Sequence, residues 1–375
     1  FSWRAAAAGL AIAALASPPQ AATGERHNLG GGEIEIWNIA GRARLVPAPG
    51  KDVIVTVVRG GRDAGRLRIE TGDLRGRSTL RVIYPGSRVV YPALGFGTRS
   101  QTRVSDDGTF GINWKSILGG HDMRVSGRGT GLEAWADLEI AVPAGTKLSV
   151  HVVGGEMMAA GVDGHILLDG GASPVRAKGV KGELTVDTGS GDVEVNSGRG
   201  VLSVDTGSGS VIVINQIGGR LHVDTGSGEV RVADSKVDGL LVDTGSGAVT
   251  LRGITSPDVN VDTGSGSVLL ELATTANDVL VDTGSGGVTI GVPRDFSARY
   301  TIETGSGDID IDVPHTSSQH SRDEARGRIG DGRGQVRIDT GSGSVRIRPL
   351  ATSSGGSSSW NGHGLGAVFG GRAVE

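Results

Sequence analysis

The sequence predicts an all-β chain, a β-solenoid of stacked two-strand rungs about 19 residues long, with an N-terminal β-rich capping segment. Three observations carry this. The pentapeptide Asp-Thr-Gly-Ser-Gly occurs seven times, starting at Asp187, Asp205, Asp224, Asp243, Asp262, Asp282 and Asp339, and Glu303 opens an eighth copy with Glu in place of Asp. Between copies the residues alternate: Leu184, Val186, Val193 and Val195 are apolar, and Thr185, Asp187, Asp192 and Glu194 between them are polar. Period-two alternation marks strands with one buried face. Finally, glycine makes up 66 of 375 residues while aromatics are 3 %, a balance that suits many tight turns around a thin aliphatic core.

Taken in chain order, residues 1–22 read as a signal peptide. Arg4 is a short positive region, Ala5 to Ala16 is an apolar run, and Ser17-Pro18-Pro19 breaks it, with cleavage expected near Ala21 or Ala22. The run is too short to span a bilayer of about 30 Å as a helix, so no stable transmembrane segment is expected. Residues 28–145 form the capping segment. Glu33 to Trp37, Val53 to Val58, Leu67 to Glu70, Leu80 to Tyr84 and Ala134 to Val142 read as strands outside the repeat, placed to cover the open edge of the first rung.

Residues 146–349 form the solenoid. The spacings between copies are 18, 19, 19, 19, 20 and 21, then 36. Stepping back by 18 from Asp187 reaches Asp169, before Gly170-Gly171, and then His151, before Val152-Val153-Gly154-Gly155, which are two degenerate early rungs. A lone unit cannot bury its valines, but stacking pairs each strand with its counterpart about 4.8 Å away. Each unit reads as strand, Gly-Ser-Gly turn, strand and a second turn such as Asn196-Ser197-Gly198-Arg199-Gly200, and glycine is expected to supply the positive-φ backbone of both turns. The 36-residue gap reads as a polar loop from Pro314 to Gly334, and residues 351–375, rich in Gly and Ser, as a disordered tail.

Asp-Thr-Gly-Ser is also the signature of aspartic proteases, where two carboxylates from separate lobes share one proton. Seven copies and the Glu303 variant, most of them near a 19-residue period, fit a structural turn ladder instead: Asp187, Asp205, Asp224, Asp243, Asp262, Asp282, Glu303 and Asp339, with Asp or Thr oxygens bonding turn N–H groups. Carboxylates stacked about 4.8 Å apart repel by about 0.9 kcal/mol per pair even at the dielectric of water, so local N–H bonds or bound cations must offset them. Structural calcium is the candidate cation, although the calcium-binding nonapeptide is not matched, and no other cofactor is expected.

Residues 59–103 hold ten arginines against Asp63, Glu70 and Asp73. Arg66, Arg68, Arg75 and Arg77 are the candidate contacts for an anionic envelope polymer, set against a bland reading as solvated strand faces. His315 and His320 near Asp323 and Glu324 are too loosely spaced for a metal site. There is no hydrolase elbow before a helix and no phosphate loop. Cysteine is absent, which excludes disulfides and thiolate chemistry, and a net charge of −4 gives no reason to expect a nucleic-acid partner.

The Val-Asp-Thr-Gly-Ser-Gly units, the opening Gly31-Gly32-Glu33-Ile34-Glu35-Ile36, the stretch Ile311-Asp312-Val313-Pro314, and Arg326-Gly327-Arg328-Ile329-Gly330 before the last repeat together resemble the bacterial putative adhesin family of domains of unknown function. The resemblance spans about residues 28–348 and implies a β-solenoid. It brings no catalytic residues. The expectation is therefore an exported, non-enzymatic adhesin or binding/scaffold protein of the bacterial cell envelope, periplasmic or at the cell surface, with an envelope polymer or surface ligand as partner, met by regular outer ladders of Thr, Ser and Asp that supply repeated weak contacts. The alternative is a polysaccharide-active β-helix enzyme, which would need an irregular acid/base constellation and aromatic sugar platforms.

Overall fold

Alternating valines become two aliphatic ladders because each strand lies in register with the strand one repeat away. In the computed structural model, which describes residues 24–95, 97–111 and 120–350, every repeat is one rung of a parallel stack. The signal-peptide and tail expectations, 1–22 and 351–375, lie outside the described residues.

Each rung places one strand on a first face and one on a second. On the first face, Lys181–Thr188 pairs with Arg199–Thr206, and this with Arg220–Thr225, Gly239–Thr244, Asp258–Thr263 and Asp278–Thr283 in turn. On the second, Val193–Asn196 pairs with Val211–Ile214, followed by Val230–Ala233, Val249–Ile254, Val268–Leu272 and Val288–Val292. The inward columns are continuous. Val186, Val204, Val223, Val242, Val261 and Val281 are fully buried, facing a buried Val193, Val211, Val230, Val249, Val268 and Val288. Each such side chain is worth roughly 1.5–3 kcal/mol of burial.

Parallel stacking begins within the N-terminal segment. Glu33–Ala48 runs through both faces and pairs along its length with Thr146–Ala160, which pairs with Asp163–Ala172 and Val175–Lys178. Beyond it the sheet turns antiparallel. Arg77–Ile83 and Trp135–Pro143 pair parallel to Glu33–Ala48, and their outer edges carry Arg68–Leu74 and Val53–Gly60, the latter joined to Glu25–Leu29.

A separate three-stranded sheet, Arg88–Val90, His121–Ser126 and Arg99–Val104, packs over the corner of the first rungs. Built side chains at Gly154 and Gly171 would meet Val125 and Leu94, and Ser100, respectively. The early rungs lack the pentapeptide where this sheet covers the corner that later rungs leave open.

Two expectations about the last repeats are corrected. Pro314 to Gly334 is not a loop. His315–His320 and Glu324–Ile329 form an antiparallel pair, and Glu324–Ile329 lies along Ala298–Thr304, covering its outer edge. Alternation is hidden in His315–His320 because every residue of that strand is exposed. The second correction concerns order. Gly334–Thr340 pairs with Asp278–Thr283 on one side and Ala298–Thr304 on the other, and Val345–Pro349 likewise lies between Val288–Val292 and Ile309–Ile311. The Asp339 rung is thus inserted between the Asp282 and Glu303 rungs. Tyr300 closes the buried column that runs Leu240, Val259, Val279 and Val336, lies opposite Gly327 in register, and has its hydroxyl 3.0 Å from Ser317 Oγ.

Candidate functional site

The pentapeptide turns line up into parallel columns of glycine, threonine, serine and aspartate, which differ in what they face. The pentapeptide glycines do not adopt the expected positive φ, whereas the second turns do, at Gly200, Gly218, Gly219 and Gly253 as expected and also at the non-glycine residues Ser197, Asn215 and Asp234. Glycine is required by close approach. A Cβ on Gly209, Gly228, Gly247, Gly266 or Gly286 would overlap the carbonyl oxygen of the equivalent glycine one rung back.

The threonines point inward, which corrects an outward Thr ladder. Thr188, Thr206, Thr225, Thr244, Thr263 and Thr283 are buried. Thr263 Oγ1 accepts the Gly266 N–H at 3.0 Å and donates to Gly247 O in the preceding rung at 3.3 Å. Thr206, Thr225 and Thr283 repeat both bonds. Threonine thus closes the turn and ties it to the next rung. The serines Ser190, Ser208, Ser227, Ser246, Ser265 and Ser285 are exposed at the turn tips.

The carboxylates form the outward column. The register runs Asp169, Asp187, Asp205, Asp224, Asp243, Asp262, Asp282, Asp339, Glu303 and then Glu324. Each end of the column has a side-chain partner. His151 Nδ1 lies 2.7 Å from Asp169 Oδ2, and the imidazole stacks on Trp37 with centroids 5.1 Å apart and meets the edge of Phe110. At the far end Arg326 Nη2 lies 3.4 Å from Glu303 and 2.6 Å from Glu324. Between these ends, among the described residues, no Lys or Arg nitrogen comes within salt-bridge distance of Asp187, Asp205, Asp224, Asp243, Asp262, Asp282 or Asp339. Nor, among the described residues, does any group of three or more His, Asp or Glu side chains converge as a metal site.

Asp187, Asp224 and Asp262 are all pushed above the ordinary aspartate range, first by partial burial and then by the carboxylates on either side. A raised folded-state pKa means that the folded chain binds protons more tightly than the unfolded one. These groups therefore add stability as pH falls through the raised values toward about 3.9, and withdraw it as pH rises. Glu33 acts oppositely: its hydrogen bond to Lys147 lowers its pKa, and that contribution is lost in acid. The triple variant Asp224→Asn/Asp243→Asn/Asp262→Asn is accordingly expected to be more stable than the parent at pH 7 and low salt by on the order of 1–2 kcal/mol. The gain should shrink in 1 M NaCl and near pH 4. A lower melting temperature for the triple variant would mean that the carboxylates hold the turns.

The arginine cluster disperses once strands are paired. Arg77 contacts Glu33 and Glu35, Arg68 contacts Glu70, Arg59 contacts Glu25 and Arg62 contacts Glu133. Three of those five acids lie before residue 59 and a fourth, Glu133, lies after 103, so a window count could not see them. Arg66 and Arg75 remain at exposed turns. His315 hydrogen-bonds Val313 O and packs edge-on to Tyr300, while His320 is exposed. The His151–Asp169 pair is a site that residue-type scanning missed. Its signal was register alone, since His151 stands 18 residues before Asp169 in the same column.

The family model described as Toastrack DUF4097 matches residues 125–348. Among curated proteins, none matches the chain. Among solved structures, the chain aligns with a "putative cell adhesion protein" from Clostridium sporogenes ATCC 15579, at 10 % identity and a TM-score of 0.20, over 87 % of this chain and 99 % of that one.

Proposed function

The chain belongs to the Toastrack DUF4097 family, and from that premise we propose that it is an exported, non-enzymatic binding or scaffold protein of the bacterial cell envelope, adhesin-like in mode of action. One observation supports this above the others: outward-facing Asp side chains recur in register on successive rungs, and each of those rungs carries an exposed Ser at its turn tip. A repeating row of weak contacts suits a repeating ligand, because each contact made raises the effective concentration of the next. Catalysis needs the opposite, an irregular constellation converging on one point. The pair most like an acid–base dyad, His151–Asp169, is largely buried, with side chains 9 % and 17 % exposed, packed against Trp37 and Phe110.

Among the described residues no helix is long and apolar enough to cross a membrane. Localisation in the envelope therefore rests on the N-terminal export signal read from the sequence, and cell fractionation tests it directly. The ligand is tested by incubating the purified chain with a panel of envelope glycans and assaying retention and cleavage together. Salt-sensitive retention without products is expected. Soluble products that follow the protein through purification would replace this reading with the polysaccharide-active enzyme. Charge reversal at Arg66 and Arg75, which among the described residues have no acidic neighbour in salt-bridge range, is expected to weaken retention of anionic polymers; unchanged retention removes those residues from the binding surface.

A further inference from the structure

We propose that the rung formed by Gly334–Thr340 and Val345–Pro349 is exchangeable between copies of this chain, so that the slot between the Asp282 and Glu303 rungs accepts the same rung of a second copy. The starting observation is the rung order. This rung follows the Glu303 rung in sequence yet sits inside it. The chain reaches the slot by a short crossing. Ile329 and Gly334 both pair with Ala298, on opposite edges of the Ala298–Thr304 strand, so residues 330–333 pass around that strand's end. Gly330 at φ +55° and Gly332 at φ +72° supply the left-handed backbone that the crossing needs.

Nothing in the slot distinguishes the chain's own rung from a neighbour's. Thr340 Oγ1 donates to Gly286 O at 3.0 Å and Thr304 Oγ1 donates to Gly343 O at 2.9 Å, the bonds that tie other rungs together. Val336, Ile338, Val345 and Ile347 continue the aliphatic columns. Withdrawal also leaves no gap. The Glu303 corner carries the same Thr-Gly-Ser-Gly, and its 21-residue spacing from Asp282 is close to the 20 of the preceding step, so it can close directly on the Asp282 rung. Withdrawal therefore forfeits one rung interface rather than two. The freed rung holds four aliphatic side chains that it cannot bury alone, and a second copy's slot buries them in the identical register. Mutual exchange restores every interface, which is the condition under which swapped dimers form at low cost.

The absence of cysteine makes the test clean. Leu280 and Arg337 are register partners on adjacent first-face strands, about 4.8 Å apart and within the Cα range that a disulfide accepts. Two full-length single variants, Leu280→Cys and Arg337→Cys, one carrying a size tag, are mixed at high concentration, warmed to just below the melting transition, cooled and oxidised. Ser203→Cys and His222→Cys, register partners in the middle of the rod, serve as the control pair. The expected result is a covalent heterodimer for 280/337 at least tenfold above the 203/222 control. Equal yields for the two pairs, or no heterodimer for 280/337 at any concentration, would overturn the proposal. So would failure of the Leu280→Cys/Arg337→Cys double variant to form its intramolecular disulfide, because the slot itself would then be wrong.

Discussion

Gly247→Ala is expected to destabilise the chain by about 4 kcal/mol or more, at the diagnostic end of the range for single substitutions. The reason is steric. Gly247 does not adopt positive φ, so alanine meets no left-handed backbone penalty there. Its Cβ would instead overlap Gly228 O and lie 2.6 Å from the Gly228 carbonyl carbon, one rung away. Those atoms are backbone, already fixed by strand pairing on both faces, and they cannot rotate aside as a side chain could. The rungs must part, which breaks hydrogen bonds on either side of the corner. Because each rung contacts only its neighbours, the damage should also divide the rod into two units with separate transitions. Urea unfolding followed by circular dichroism is the measurement. Ser246→Ala, at the exposed tip of the same turn, should stay within about 0.5 kcal/mol of the parent. A Gly247→Ala variant as stable as Ser246→Ala would remove close approach as the reason for the glycine column.

The same glycines show what sequence reading reaches and where it stops. The stack itself was legible, because valine alternation and a near-19-residue period have no other economical solution. The glycine role was not, because positive φ and backbone contact across rungs both select glycine, and one chain read linearly does not show what lies one rung away. Rung order was hidden for a related reason. Asp282, Asp339 and Glu303 sit in nearly identical corners, so the residues themselves carry no label for who stacks on whom; only the 36-residue spacing hinted at an irregularity. The carboxylate column followed from the period. Its capping did not, since the partners come from outside the repeat: Trp37 from the N-terminal segment, His151 from a degenerate rung and Arg326 from the terminal hairpin. The arginine count failed in the same way, because Arg77 meets Glu33 and Glu35 from a strand some forty residues earlier.

Thr263→Val should cost about 2–4 kcal/mol, although it preserves shape and adds apolar surface. Thr263 is fully buried, and its hydroxyl serves two backbone groups, the Gly266 N–H in its own turn and the Gly247 carbonyl in the preceding rung. Valine leaves both without that partner, and a buried donor or acceptor stranded in this way costs about 1–3 kcal/mol. The extra methyl offsets part of that loss, on the scale of about 0.8 kcal/mol for a buried carbon. Thr263→Ser reverses the trade: it keeps both hydrogen bonds and gives up only a methyl, so it should cost about 1 kcal/mol. The order parent, then serine, then valine in chemical denaturation separates the two contributions. If valine proves more stable than serine, burial of the methyl holds the corner and the hydroxyl is incidental. If the expected order holds, threonine rather than aspartate is the residue that the turn requires, and the Asp column is left free for whatever the outside of the rod meets.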